Sequence, residues 1–204
     1  GTRVVKLVSL NLFSMRQILK SRRVPEKTLE TAKAHRILFA GSIARYFPTE
    51  SEFQCLEYLL SALENGDLQD STITYRPVGH KAEIIELIQQ RFAGRKHLNI
   101  EFASPTIYGL DTYTDCKWEN IIAGHIQSLQ GFDQMVMINV TSLALDAAVM
   151  GTVSVGYIGD PSGVVERQQI RLSLDEEGKF RIMGVVPVAQ NPPEVLTIVS
   201  ELFN

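Results

Sequence analysis

The chain has 204 residues, 45% of them apolar, 8% aromatic and 21% charged, a composition that excludes disordered, fibrous and collagen-like chains and fits one globular domain with or without an appended segment. The net charge of −3 hides a division: residues 1 to 50 hold ten Lys and Arg against three acids, and the rest hold ten against twenty. No run reaches the roughly 18 apolar residues of a membrane span, and Cys55 and Cys116 are too few for a disulfide scaffold, so an intracellular, reducing compartment is expected.

In chain order, the spacing of Val4, Leu7, Val8, Leu12, Met15, Ile18 and Leu19 predicts a helix, although Val8, Leu10 and Leu12 also alternate as a strand would. Pro25 suits a helical first turn, and a second helix is predicted from Glu26 to Tyr46. Residues 1–48 thus read as a basic helical extension. Its Arg16, Arg22 and Arg23 point to an anionic partner, nucleic acid or acidic protein, unless the charged face is merely wet.

Thr49-Glu50-Ser51-Glu52 has the form of a capping box opening a helix with Phe53, Leu56, Leu59, Leu60 and Leu63 on one face, and Asn65-Gly66 supplies its left-handed stop. A short strand at Ile73 to Tyr75 and a helix from Lys81 to Phe92 follow, then a helix from Lys117 to Leu129. From there the period changes to two. Residues 134–145, 147–158, 166–174 and 179–188 read as consecutive strands joined by hairpin turns, and Pro192-Pro193-Glu194 opens a C-terminal helix over 191–204. Helices first and a meander last predict an α+β fold: a curved antiparallel sheet wrapped by helices, a cystatin-like cone over residues 49–190, preceded by N-terminal helices.

Three local strings carry a family resemblance. Ser61-Ala62-Leu63-Glu64-Asn65-Gly66-Asp67-Leu68 is similar to the end of the first long helix of the nuclear transport factor 2-like superfamily. Cys116 to Leu129 resembles the family's short helix, and the acidic-Gly turn in Leu174-Asp175-Glu176-Glu177-Gly178-Lys179-Phe180 resembles its closing meander. The resemblance covers roughly residues 50 to 190, with an added helical stretch near 67 to 100 and no counterpart for residues 1 to 48. It implies either a pocket for a small ligand or a sheet face that takes a protein partner or a second copy.

The ketosteroid isomerase branch of that family uses a carboxylate base and an oxyanion hole of Tyr and protonated Asp. Carried over, the base falls at Asp111, with Tyr108 and His125 as pocket neighbours. The oxyanion Asp falls near Gln169 and the oxyanion Tyr at Leu59, beside Tyr58, so those two roles are unmet. The favoured expectation is therefore a non-enzymatic interaction or dimerisation module, with Met150, Val153, Val155 and Tyr157 as its contact face. The alternative is an isomerase- or cyclase-type enzyme using Asp111. Neither G-x-G-x-x-G nor a P-loop occurs, and no His or Cys spacing suits a metal, so no cofactor and no metal are expected.

Overall fold

The computed structural model describes residues 35–42, 47–68, 70–78, 82–102, 128–139, 143–159 and 186–202. In chain order these form β1 (His35–Ala40), α1 (Thr49–Asn65), β2 (Ser71–Arg76), α2 (Ala82–Phe92), β3 (Leu98–Ile100), β4 (Gln134–Ile138), α3 (Leu143–Val149), β5 (Val153–Tyr157), β6 (Val188–Ala189) and α4 (Pro192–Glu201). The six strands make one sheet in the order β3-β2-β1-β4-β5-β6, and every pairing is parallel. The fold is α/β, and the antiparallel α+β cone expected from the sequence is overturned.

The reason lies in how a parallel sheet is built. Parallel neighbours need a crossover between them, so helices cover both faces, and the inner strands become continuous apolar runs instead of alternating ones. Ile37 to Ala40 in β1 and Met135 to Ile138 in β4 are such runs. A run of that length has no period that separates strand from buried helix. Hence His35 to Ala40, expected inside a helix from 26 to 46, forms a central strand bonded to β2 on one side and β4 on the other. The boundary expected at residue 48 therefore separates that strand from its own sheet. Likewise 143–149, expected to belong to two strands, forms a helix: its Leu-Ala-Leu-Asp-Ala-Ala-Val sequence is rich in good helix formers and spans the crossover from β4 to β5.

One face of the sheet carries Ile37, Phe39, Ile73, Tyr75, Val136, Ile138, Val155 and Tyr157. They pack against Phe53, Leu56, Leu59, Leu60 and Leu63 of α1, Ile88 and Phe92 of α2, and Val195 and Val199 of α4. The other face carries Leu38, Ala40, Met135 and Met137 beneath Ala144 and Ala147 of α3, with Leu129, Phe132 and Val186. Each large apolar side chain buried this way contributes about 2 kcal/mol.

The α1 helix ends as its sequence predicts, with Gly66 at φ 89° in the left-handed conformation and its N–H returned to Leu63. Its start differs. Pro48 is the cap, without a side-chain bond, and Glu52 turns inward instead of back to the cap. Arg91 ties α2 to α1 through Glu50 at 2.6 Å and Glu57 at 2.7 Å, and its guanidinium lies 5.1 Å from the centre of the Phe53 ring. Those two carboxylates push the Arg91 pKa further up, and Arg91 in turn holds Glu50 below the ordinary range. The α4 helix is capped by the Asn191 side chain, which accepts from the Glu194 N–H.

Candidate functional site

The strand order reverses once. From β1 the chain steps outward to β2 and β3; it then returns to β4, beside β1 on the other side, and steps outward to β5 and β6. The α1 helix leaves β1 onto one face and α3 leaves β4 onto the other. In open parallel sheets a strand order that reverses between two neighbours places ligands outside their carboxyl ends, which here are those of β1 and β4.

After β1 the loop begins Gly41-Ser42. The Gly41 N–H is held by the Arg76 carbonyl of β2 at 3.0 Å. A side chain at Gly41 would run into the Glu52 carboxylate and stand 3.2 Å from the Pro77 backbone, so only glycine lets the loop pass here. After β4 the loop begins at Asn139, which adopts φ 66° and donates its N–H to the Tyr157 carbonyl at 2.8 Å. A left-handed Asn ending a strand turns the chain abruptly toward the next helix. At the ends of β2 and β3, Arg76 is paired with Glu101 at 2.8 Å and also donates to the Ser128 carbonyl.

Glu52, in the first turn of α1, is bonded to the start of the loop after β1 and is only 3% exposed. The Tyr75 hydroxyl donates to its Oε1 at 2.5 Å and the Ser42 N–H to its Oε2 at 2.9 Å. Desolvation is the largest influence on it and outweighs both bonds, raising its pKa to about 7. The same burial, with the Glu52 charge nearby, pushes the Tyr75 hydroxyl and the Cys55 thiol up, so Cys55 is an inert, buried thiol.

Of the sequence-predicted site residues the structure describes Met150, Val153, Val155 and Tyr157. Asp111, Tyr108 and His125 lie outside the described residues, as do Arg16, Arg22 and Arg23. Val155 (1% exposed) and Tyr157 (4%) belong to the core under this chain's own helices, with Tyr157 against the Phe47 ring, so they present no face to a partner. Val153, at the amino end of β5, is 44% exposed, and Met150 is half-buried beside α3. What sequence reading missed is Glu52. Its signal was present: an acid at the one position of the expected capping box that falls on the helix face lined by Cys55, Leu56 and Leu59.

Among the described residues no three His, Cys, Asp or Glu side chains come together as a metal would need, and no helix is long and apolar enough to cross a membrane. No protein-family model matches the chain, and no curated protein does.

Proposed function

We propose that this chain is a ligand-binding α/β domain that holds a nucleotide-class ligand over the carboxyl ends of β1, β4 and β5. The observation that carries this reading is the strand order 3-2-1-4-5-6, with its single reversal between β1 and β4. That order joins two mononucleotide-sized halves, and ligands of such sheets sit where the order reverses. The local chemistry supports it: Gly41 keeps the first loop low and Ser42 and Asn139 bring polar groups to the loops after β1 and β4. The loop after β1 reads Gly41-Ser42-Ile43-Ala44, without the glycine-rich turn that cradles a pyrophosphate. The ligand is accordingly held by hydrogen bonds from individual loop groups, as a mononucleotide is, and not by a glycine fingerprint.

The test is a nuclear magnetic resonance titration of the isotopically labelled chain with a mononucleotide panel of ADP, UDP, CDP and GDP. The expected result is saturable shifts at Gly41, Ser42, Asn139 and Gly159, with Arg36 and Asp133 at the amino ends unmoved. Shifts confined to the amino ends, or none with any member of the panel, remove the reading.

A further inference from the structure

Glu52 is a carboxylate in the core, and among the described residues no cation balances it. The described groups that face it are the Tyr75 hydroxyl from β2, the Cys55 thiol from its own helix, and the Ser42 N–H and Gly41 from the loop after β1. No Lys, Arg or His among the described residues acts on it. Buried charge without a partner is expensive, and a carboxyl in that position takes up a proton more readily than an exposed one.

Hydrogen counting shows what that proton does. Ionised, Glu52 only accepts, and two donors meet its two oxygens. Protonated, it adds a third hydrogen, and the oxygen that carries it becomes the poorer acceptor, so the bond made to that oxygen weakens. If the acid donates to Tyr75, the tyrosine hydrogen loses its carboxylate acceptor in a side chain that is 1% exposed. An unmet buried hydroxyl is costly. If the acid proton sits on Oε2 instead, it opposes the Ser42 N–H, which is only part-buried and can turn to water or ligand. The second arrangement is the cheaper one.

We propose that Glu52 is a proton-operated latch on the loop after β1: ionised, it holds the Ser42 N–H inward; protonated, it releases that N–H for an anionic ligand outside the carboxyl ends of β1 and β4. The ligand half of this statement rests on the nucleotide reading above; the latch itself is a property of the free protein. Because release and anion binding share one donor, binding takes up a proton. Affinity for an anionic nucleotide then rises as pH falls through about 7, the value to which burial brings Glu52, by at most about tenfold per pH unit.

The experiment follows the Ser42 amide and the Glu52 side-chain carboxyl carbon of the free chain by nuclear magnetic resonance between pH 5 and 9. The latch requires both to titrate with one shared midpoint near 7, and the Ser42 transition to vanish in Glu52→Gln. Should that variant not fold, Tyr75→Phe keeps the ring and removes the bond that lowers the Glu52 pKa, so both midpoints must move upward together. A Ser42 amide that is flat across the range, or that titrates apart from Glu52, overturns the proposal. A shared titration in a chain that binds none of the four nucleotides keeps the latch and removes the ligand reading.

Discussion

The two ends of β1 are each tied to a carboxylate by one backbone bond of the same length, and the two carboxylates live in opposite conditions. At the amino end, Asp133 accepts the Arg36 N–H at 2.9 Å and is partly exposed, and the Arg36 guanidinium lies 5.0 Å from the centre of the Phe132 ring. At the carboxyl end, Glu52 accepts the Ser42 N–H at 2.9 Å from inside the core, with a tyrosine hydroxyl as its other partner. Bonds of one length therefore hold carboxylates in unlike surroundings, one partly in solvent and one in the core. The carboxyl end is fastened in a way that depends on a proton. That asymmetry coincides with the division of labour in open parallel sheets, whose ligands gather at the carboxyl ends.

The largest test of this contrast is the pH dependence of stability. Glu52 has a folded pKa of about 7 against an ordinary value of 4.5, so the folded chain keeps a proton that the unfolded chain has lost between those values. Its contribution to stability is fully present below pH 4.5 and is lost as pH rises through about 7, by roughly 3 kcal/mol. Urea unfolding at a series of pH values must show that fall in the wild type and a curve flatter by that amount in Glu52→Gln; parallel curves would place Glu52 in solvent contact. Next, Tyr75→Phe leaves the buried carboxylate with one donor and costs about 2 kcal/mol at pH 8. An unfolding midpoint unchanged from wild type would mean that the hydroxyl bond contributes nothing. The smallest effect belongs to the other end: Asp133→Asn keeps an oxygen for the Arg36 N–H and costs under about 1 kcal/mol in urea unfolding at pH 7. A loss as large as that of Tyr75→Phe would erase the contrast between the ends.

The helices that obey local rules were legible in the sequence. Phe53, Leu56, Leu60 and Leu63 mark one face of α1, Gly66 stops it, and α2 and α4 carry similar signals. The sheet was not legible, because its central strand His-Arg-Ile-Leu-Phe-Ala is too short and too uniformly apolar to display a period, and β3 has three residues. Reading β4 and β5 as strands succeeded, yet their direction was inverted. Direction is decided by the crossover, and the crossover was hidden in Leu143 to Val149, whose Leu and Val residues extend the apolar runs on either side. The site followed the sheet out of reach. Glu52 fits a capping box by spacing and the apolar face by its place before Cys55 and Leu56, and the bond to Tyr75 decides between the two.

The position of β1 also has a consequence for the order of assembly. One of its edges pairs with β2, which follows it after a single helix, and the other with β4, where Arg36 and Asp133 meet across a separation of 97 residues. Closing the nearer pair costs less chain entropy, which favours pairing of β1 with β2 before β4 joins. Until it does, the inner edge of β1 stands open with Ile37, Leu38 and Phe39 beside it, the kind of unpaired apolar edge that invites a second chain. A strand bonded on both edges in the finished sheet therefore owes one of them to a strand far away along the chain.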